Sequence, residues 1–296
     1  MRYKKSAYRY LDKRGETLDA PFTADFFGLS YEGNLSNGIE FAIYYYGAFE
    51  KPLLFFLRDT AQQLAAISGE PIGFCDIGSN VGQHALFMSG HAKRVDAFEP
   101  FSPVRNKLEH HIQLNNITNI HVHPVGLGSQ NGELTFYAPT GSNQGVGSFI
   151  EQGNDQRTQV YDQLRVVRGD DYFAEEELAP VHLIKMDVEG FERNALLGLQ
   201  QTLQANRPVI ALEVTYGEAQ SFSSLADLKA ALPPDYSYYY FDTRKADGST
   251  ARRRGSRAKR TGKYQLVPLN AWRDTGQDDI VAVPQEFLQF LPLSPR

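Results

Sequence analysis

From residue 71 onward, short apolar runs alternate with stretches of helical periodicity, and this alternation constrains the fold more than any other feature of the sequence. The apolar runs are 72–77, 95–98, 120–125, 181–186 and 209–214, and helical stretches follow at 81–89, 103–114 and 191–203. Such alternation predicts βαβ units in an α/β fold, with one mostly parallel sheet and helices on both faces. Two later apolar runs, 238–241 and 280–283, predict two further strands joined by a long polar connection.

The first 70 residues differ from the rest because they are rich in aromatic residues and contain no nucleotide-binding motif. Residues 37–49 form an aromatic run that indicates an extended stretch. Residues 51–68 place apolar side chains at helical spacing, which predicts a helix. We therefore divide the chain into a segment 1–70, expected to pack on the core, and a domain 71–296 that carries a basic loop at 243–278.

Composition and charge exclude several classes of protein. Hydrophobic residues make up 42% of the chain, enough for a buried core, and a net charge of −5 gives no overall attraction to nucleic acid. No apolar stretch approaches the ~20 residues that cross a bilayer, and no apolar run follows the basic first residues. The single cysteine, Cys75, cannot form an internal disulfide, which is typical of a reducing compartment. We expect a soluble, cytoplasmic protein without a membrane span.

A glycine-bearing turn after the first apolar strand of the domain is the most informative motif. Residues 74–82 read FCDIGSNVG, a strand that ends in an acid, turns and opens into a helix. Glycine removes the side chain that would keep a ligand off the backbone, and asparagine is among the few other residues that accept left-handed geometry. The dinucleotide pattern G-x-G-x-x-G is not met, and the acid would repel a phosphate. The turn therefore predicts a site for a cationic or amino-bearing ligand, with candidate residues Asp76, Gly78, Ser79, Asn80 and Gly82.

A second acid lies at the end of the next strand. Glu99 follows the glycine turn by roughly twenty residues, where a carboxylate accepts hydrogen bonds from both ribose hydroxyls of a nucleoside. Pro100 then breaks the strand. Together with Asp76, this spacing favours a nucleoside site.

A third group of acids follows a buried strand at residues 183–186. Asp187 and Glu189 come to the same edge of the sheet, where they can orient an acceptor hydroxyl or take its proton. Glu213 closes the neighbouring apolar run. Glu192 lies in the first turn of the next helix, where we expect its negative charge to stabilise the helix through the helix dipole. In the alternative interpretation, these acids only cap helices and pair with Lys185 or Arg193.

On these motifs the chain resembles the FkbM family of class I S-adenosylmethionine-dependent methyltransferases. The family patterns D-I-G-A-N-x-G, F-E-P and K-x-D-V-E-G-x-E match residues 76–82, 98–100 and 185–192, with Ser79 in place of alanine. The resemblance covers roughly residues 38–215. It implies a Rossmann-like sheet with an antiparallel last strand, S-adenosylmethionine as cofactor, and methylation of a hydroxyl on a sugar, glycan or natural product. It also implies that Asp76, Gly78, Asn80 and Gly82 hold the methionine side of the cofactor and that Glu99 holds its ribose.

For the chemistry we predict that Asp187 and Glu189 contact the acceptor and supply the base, with Glu213 in support. His84, just inside the helix after the glycine turn, is the alternative base. We predict no metal. His121 and His123 share a face of one strand but lack an acid or cysteine at ligand spacing. A divalent ion bridged by Asp187, Glu189 and Glu213 is the alternative.

The connection 243–278 contains the one biased segment, RRRGSRAKR at residues 252–260. If the last two strands form a hairpin, this segment overhangs the substrate entrance. We expect it to attract an anionic acceptor, such as an acidic or phosphate-linked glycan, by electrostatic focusing. A solvated loop with surplus charge is the alternative, and RNA binding is disfavoured because no aromatic residues interleave the charges. The substrate-binding candidates are Arg252, Arg253, Arg254 and Arg257.

Two other functions compete with methyl transfer. An NAD-dependent oxidoreductase would use Glu99 equally well, although Asn80 occupies the place of the pyrophosphate glycine. A non-catalytic Rossmann-like protein would bind a partner through the basic loop. P-loop, zinc-hydrolase and serine-hydrolase motifs do not occur in the sequence. The sequence predicts neither the acceptor nor the oligomeric state.

Overall fold

A central sheet of eight strands organises the molecule. The structure, a computed structural model, describes residues 18–139, 147, 149, 158–217, 221–243 and 251–294. Elements are numbered β1–β13 and α1–α9 in chain order. Across the sheet the strands lie in the order β12, β11, β13, β10, β9, β3, β4, β5. In that order their bounds are Leu266–Pro268, Tyr236–Phe241, Gly276–Pro284, Val209–Tyr216, Leu183–Met186, Gly73–Ile77, Arg94–Phe98 and Ile120–His123.

Five adjacent strands, β10, β9, β3, β4 and β5, are parallel. Strand β13 is antiparallel to both β10 and β11, and β12 is antiparallel to β11. The prediction of a mostly parallel Rossmann-like sheet with an antiparallel last strand is confirmed, with β12 as a further edge strand that the sequence did not indicate. Chain order reverses between β3 and β9, which is the switch point where open α/β sheets bind ligands.

Helices cover the sheet. They are α1 Gly38–Tyr46, α2 Lys51–Ser68, α3 Gln83–Ser89, α4 Ser102–Leu114, α5 Gly169–Glu175, α6 Glu192–Gly198, α7 Gln200–Asn206, α8 Leu225–Ala230 and α9 Arg252–Thr261. Alternate strand residues face opposite layers, as the period of two in a strand requires. Phe74 and Val209 pack in one apolar cluster with α2 and α3. Cys75 and Ile210 pack in the other with α5 to α8.

Two smaller sheets were not predicted. Strands β1, Pro21–Phe26, and β2, Leu29–Asn34, form an antiparallel hairpin near the start of the described chain. Strands β6, Gly126–Gly128, β7, Gly132–Pro139, and β8, Thr158–Arg168, form a three-stranded sheet in the order β6, β8, β7. Their residues lie outside the alternating pattern from which the central strands were predicted.

The prediction of an extended stretch at 37–49 is wrong, because most of it is the helix α1. The side chain of Asn37 accepts hydrogen bonds from the backbone N–H groups of Ile39 and Glu40, and Gly47 ends the helix in the left-handed conformation at φ 82°. These are the usual signals of a helix start and a helix end. They outweigh the preference of the aromatic run for a strand.

The predicted helix 191–203 divides into α6 and α7 around Leu199. The connection 243–278, read as a loop, contains the helix α9 and the strand β12; residues 244–250 lie outside the described part. Arginine, lysine and alanine form helices readily. Ala258 and Gly262 anchor α9: both are buried, and a β-carbon on Gly262 would lie 2.3 Å from the ring of Phe55 in α2.

Within the described residues, no helix combines the length and the apolar character needed to cross a bilayer.

We expect Phe56→Ala to lower the free energy of unfolding by about 3–5 kcal/mol, because a buried phenyl ring leaves a cavity. Phe56 is fully buried in α2 and meets the rings of Phe241 and Tyr264 edge to face. Urea denaturation measures the change. Ile67→Ala in the same helix is the matched control, since Ile67 is 43% exposed and its loss should change stability by no more than about 0.5 kcal/mol. Equal effects of both changes would contradict this packing.

Candidate active site

The turn between β3 and α3 brings backbone, rather than side chains, to the switch point. Gly78, Asn80 and Gly82 have φ values of 77°, 54° and 81°, so Asn80 adopts the left-handed geometry that its residue type tolerates. A β-carbon on Gly78 would lie 1.9 Å from the carbonyl oxygen of Asp187, and one on Gly82 would lie 2.3 Å from Leu108. Glycine is therefore required at both positions for the turn to lie against β9 and α4.

Glu99 connects this turn to the end of β4. Its carboxylate accepts hydrogen bonds from the backbone N–H groups of Asn80, at 2.8 Å, and of Phe101, at 2.9 Å. The side chain is buried, and burial raises the pKa of Glu99 to about 7 although the two backbone hydrogen bonds lower it in part. Each oxygen keeps a free lone-pair direction, so the carboxylate can accept further hydrogen bonds from a ligand.

A first cavity lies between these two elements and the end of β9. Its lining includes Gly78, Asn80 and Glu99 on one side and Asp187 and Glu189 on the other; Pro100, Phe101, Phe149 and Phe191 add apolar surface. The predicted cofactor residues Gly78, Asn80, Glu99 and Pro100 thus share one cavity. Ser79 and Asp76 lie behind it: the Ser79 hydroxyl donates to the carbonyl of Phe98, at 3.2 Å, and Asp76 is completely buried.

Lys185 holds the acids at the tips of β3 and β9. Its ammonium nitrogen lies 3.7 Å from a carboxylate oxygen of Asp76 and 3.4 Å from one of Asp187, and it donates to the carbonyl of Gly78 at 3.2 Å. Burial alone would lower the pKa of Lys185, but the Asp187 and Asp76 carboxylates reverse the direction and raise it. Burial raises the pKa of Asp76 to about 6, with Lys185 opposing the shift. Neither oxygen of Asp76 has a hydrogen-bond partner within the described chain.

Five carboxylates gather beyond this lysine, and we call them the acid cluster: Glu50, Asp187, Glu189, Glu213 and Asp279. One oxygen from each of Asp187, Glu189 and Glu213 lies within 4.8 Å of the others, and the same holds for Glu50, Glu213 and Asp279. Burial, followed by the repulsion of neighbouring acids, raises the pKa values of Glu50 and Glu213 and raises that of Glu189 to about 8. The predicted trio Asp187, Glu189 and Glu213 does come together.

Two members of the acid cluster, Glu50 and Asp279, were not predicted from the sequence. Glu50 comes from the turn before α2 and has a left-handed φ of 43°, and Asp279 lies in β13 directly opposite Glu213 in β10. The sequence signal for Glu50 was its place in the stretch 38–215 that resembles the FkbM family. Asp279 could be found only from the antiparallel pairing of β10 and β13.

His84 lies beside the acid cluster but does not line the first cavity. Its side chain is 6% exposed, and Nε2 lies 3.7 Å from a carboxylate oxygen of Glu50 without a hydrogen-bond partner in the described chain. Burial, and then the charge of Lys185, lower the pKa of His84 well below its usual value. The imidazole is therefore neutral at neutral pH.

A second cavity of about 390 Å³ opens on the other side of the acid cluster. Its walls carry the aromatic side chains of Phe41, Tyr46, Phe49 and Phe241, and its acidic end is formed by Glu50, Glu213 and Asp279. Gly255, Ala258 and Lys259 of α9 line the opposite side. The volume falls within the usual range for small-molecule sites, ~300–1,000 Å³.

The basic segment forms the helix α9. Its residue Lys259 lines the second cavity, whereas the four predicted arginines do not line it. The side chains of Arg252, Arg253, Arg254 and Arg257 are exposed, and Arg254 pairs with Asp242 at 2.5 Å.

Arg193 and Glu192 lie apart from the acid cluster in their contacts. Arg193 pairs with Asp227, at 3.2 Å, rather than with the acid cluster. Glu192 is buried and accepts hydrogen bonds from the backbone N–H groups of Val188 and Gly190, so it shapes the turn before α6.

The two strand histidines do not act together. His123 lies 3.0 Å from Asp96 and 3.1 Å from the hydroxyl of Tyr172, in a buried polar network, whereas His121 is exposed. The acid beside His123 comes from the neighbouring strand β4, which spacing along the chain did not reveal.

Comparison of the sequence with known proteins identifies the family to which the chain belongs. Residues 76–240 match the sequence model of the methyltransferase FkbM domain, more than half of the chain. The chain is 26% identical over 194 residues to Methyltransferase 1 of Beauveria bassiana (strain ARSEF 2860), which covers 55% of this chain and 77% of that protein. It is 29% identical over 135 residues to the hexuronic acid methyltransferase AglP of Haloferax volcanii, covering 46% of this chain and 53% of AglP.

A third relative is the AMB antimetabolite synthetase AmbE of Pseudomonas aeruginosa, 28% identical over 191 residues, which are 51% of this chain and 9% of AmbE. The chain thus spans about half the length of AglP and a small part of AmbE. Among solved structures, a methyltransferase FkbM from Methylobacillus flagellatus KT aligns with 70% of this chain and 43% of its own, at 18% identity and a TM-score of 0.41. A score at this level carries no argument by itself.

The parallel sheet with a reversed last strand, carrying acids at its switch point, defines a Rossmann-like enzyme of the methyltransferase class. The chain belongs to the FkbM family of S-adenosylmethionine-dependent methyltransferases. The NAD-dependent oxidoreductase and the non-catalytic binding protein, the two competing interpretations of the sequence, are not supported by this match.

We expect Lys185→Met to lower the free energy of unfolding by about 3–5 kcal/mol at pH 8, because it leaves the fully buried carboxylate of Asp76 and the partly buried carboxylate of Asp187 without their cation. The loss should be smaller at pH 5. A buried acid without its cation takes up a proton, and this costs more as the pH rises above the pKa of the unfolded chain. Urea denaturation at both pH values measures the difference. Lys93→Met, which changes a lysine 69% exposed, is the control; a pH-independent loss in Lys185→Met would contradict the ion-pair assignment.

Proposed function

We propose that this protein transfers the methyl group of S-adenosylmethionine to a hydroxyl group of a sugar, glycan or natural-product acceptor. The observation that carries the proposal is the position of the acid cluster between two cavities. Asp187 and Glu189 line the first cavity, Glu50 and Asp279 line the second, and Glu213 lies within 4.8 Å of members of both pairs. A donor and an acceptor in the two cavities would meet at this cluster.

The residues of the first cavity suit this cofactor. The backbone of Gly78 and Asn80 lines the cavity, and the buried Asp76 behind them, paired with Lys185 at 3.7 Å, places a carboxyl group on the side proposed for the ammonium group of the methionine end. Glu99 has lone pairs left for two ribose hydroxyls. Asp187 and Glu189 place carboxyl groups beside the position of a sulfonium. When bound, the cofactor supplies a methyl group already activated for transfer.

The chain's own residues must align the acceptor oxygen and remove its proton. Alignment of reactants can lower a barrier by up to ~7–11 kcal/mol, and a positioned base contributes typically ~10²–10⁴ in rate. Burial and Asp187 raise the pKa of Glu189 to about 8, so its ionised form is a stronger base than an ordinary carboxylate and can accept the hydroxyl proton. Asp187 and Glu213 would orient the hydroxyl. His84 lines neither cavity, so we assign it no contact with the acceptor.

The second cavity supports an acceptor of sugar type. Aromatic walls suit the C–H face of a sugar ring, and the carboxylates suit its hydroxyl groups. Lys259 on the opposite side would pair with an anionic group such as a carboxylate. AglP, a relative, is a hexuronic acid methyltransferase by name. The exposed arginines Arg252, Arg253, Arg254 and Arg257 would then attract an anionic acceptor toward the cavity.

We expect S-adenosylmethionine to bind up to about tenfold more weakly at pH 6 than at pH 8. A carboxyl group with a pKa of about 7 is about 90% ionised at pH 8 and about 10% at pH 6, and the ionised form accepts the ribose hydroxyls. Isothermal titration calorimetry measures the affinity. Glu99→Gln should bind at least tenfold more weakly at pH 8 and show a flatter pH profile. Unchanged affinity in Glu99→Gln would disprove the proposed cofactor site.

We expect Lys259→Met to raise the KM for a uronic acid acceptor by about tenfold and to leave the KM for the matching neutral sugar within twofold, because only the former loses an ion pair. Replacing Arg252, Arg253, Arg254 and Arg257 together by glutamine should reduce kcat/KM for the anionic acceptor at low salt only. Steady-state kinetics at two salt concentrations distinguish contact from attraction. If neither variant alters kcat/KM for the uronic acid, the acceptor is not recognised by its charge.

A further inference from the structure

One buried amide side chain joins the turn 78–82, at the first cavity, to a wall of the second cavity. We propose that Gln83 is a positioning residue that couples the two cavities, so that a ligand bound against this turn fixes the segment 47–50 on the acceptor side. The inference rests on the proposed function for the identity of the two ligands. The connection itself can be measured in the ligand-free protein.

The amide of Gln83 pairs with both polar groups of one backbone residue. Its Oε1 accepts a hydrogen bond from the N–H of Phe49 at 3.0 Å, and its Nε2 donates one to the carbonyl of Phe49 at 2.9 Å. A carboxamide carries an acceptor and a donor side by side, so only one orientation of the amide satisfies both groups. We call these two hydrogen bonds the Gln83 clamp. Gln83 is 2% exposed, and a buried polar group that loses its partner is costly, so the clamp holds Phe49 in one position.

The clamped residue lies in the short segment 47–50, between the end of α1 and the start of α2. Ala48, Phe49 and Glu50 line the second cavity. Glu50 has a left-handed φ of 43°, which costs free energy in a residue with a β-carbon. Such a conformation persists only where the surrounding contacts hold it. The Gln83 clamp acts on the residue directly before Glu50, and it therefore helps to keep the Glu50 carboxyl group at the acidic end of the second cavity.

The other end of the clamp belongs to the donor side. Gln83 is the first residue of α3 and directly follows Gly82, the last residue of the turn. Asn80 of this turn lines the first cavity, and the N–H of Gly82 donates to the carbonyl of Ser79 at 2.8 Å, so the turn is closed by its own hydrogen bond. A ligand that restrains the turn therefore also restrains the backbone from which the Gln83 side chain extends.

The clamp gives a physical reason for the donor to promote binding of the acceptor. Ordering a segment costs conformational entropy, and a second ligand that meets an already ordered segment bears less of this cost. With S-adenosylmethionine against the turn, Phe49 and Glu50 are held in place for the acceptor. By linkage, the acceptor strengthens binding of the donor by the same factor. The second cavity is thus fully formed only when the methyl donor is present.

Amide hydrogen exchange, measured by NMR at Phe49, tests the connection without an acceptor. Gln83→Met keeps the length of the side chain but removes the amide, so we expect it to speed exchange of the Phe49 N–H at least tenfold in the ligand-free protein. Saturating S-adenosylmethionine should slow this exchange at least threefold in the unmodified protein and leave it unchanged in Gln83→Met. Exchange in the turn 78–82 is followed in the same spectra.

Gln200→Met is the matched control for a purely structural loss. The amide of Gln200 donates to the carbonyls of Leu196 and Ala231, at 2.9 Å and 2.8 Å, and none of these residues lines either cavity. We expect this change to lower the Tm about as much as Gln83→Met does, because each removes two buried hydrogen bonds. It should leave exchange at Phe49, and its response to S-adenosylmethionine, as in the unmodified protein.

The outcomes separate this proposal from the proposed function. Slower exchange in the turn 78–82 without any change at Phe49, in the unmodified protein, would overturn the coupling and leave the cofactor site intact. If S-adenosylmethionine slows neither and calorimetry detects no binding, the proposed function fails instead. The ligand-free comparison then still decides the clamp, since equal exchange of Phe49 in Gln83→Met and in the unmodified protein would overturn it.

Steady-state kinetics give a second measurement. We expect Gln83→Met to raise the KM for a uronic acid acceptor at least tenfold, with kcat and the Kd for S-adenosylmethionine within threefold of the unmodified values, because the clamp acts on the acceptor wall. A lower kcat at unchanged KM would overturn this role for Gln83.

Discussion

A buried ammonium group between two strand tips is the interaction on which the site depends. Lys185 of β9 lies in register with Asp76 of β3, and its nitrogen reaches both Asp76 and Asp187 as well as the carbonyl of Gly78. Without it, the carboxylates of Asp76 in β3 and of Asp187 just after β9 would repel one another at the switch point of the sheet. With the lysine in place, the glycine turn can lie against the carbonyl of Asp187, and the first cavity acquires its acidic edge.

The two sides of the site come from different parts of the chain. The first cavity is built from the tips of β3, β4 and β9 and the elements that follow them, which the family match covers. The second cavity draws Phe41, Tyr46 and Phe49 from before residue 76, and Lys259 from beyond residue 240. If the first cavity holds the donor and the second holds the acceptor, as we propose, the acceptor of this chain must be argued from the residues of the second cavity.

The sequence was informative where chemistry and local geometry coincide. Glycines, an asparagine and acids at strand ends indicated the turn and the trio Asp187, Glu189 and Glu213, and the parallel strands followed from alternation. It was uninformative where position depends on distant pairing. Asp279 becomes a site residue because β13 runs antiparallel to β10, and Glu50 because its left-handed backbone turns the chain at the start of α2. The helix α1 was misread because a capping asparagine outweighed an aromatic run, and α9 because a charged segment was taken for a loop.

The position of His84 bears on which group takes the acceptor's proton. A base must reach the hydroxyl, and His84 contacts Glu50 from outside both cavities, with its pKa lowered by burial and by Lys185. Glu189 lines the first cavity, where the methyl group would be presented, and its pKa is raised toward neutrality by burial and Asp187. In the proposed reaction, Glu189 is therefore better placed than His84 to take the proton.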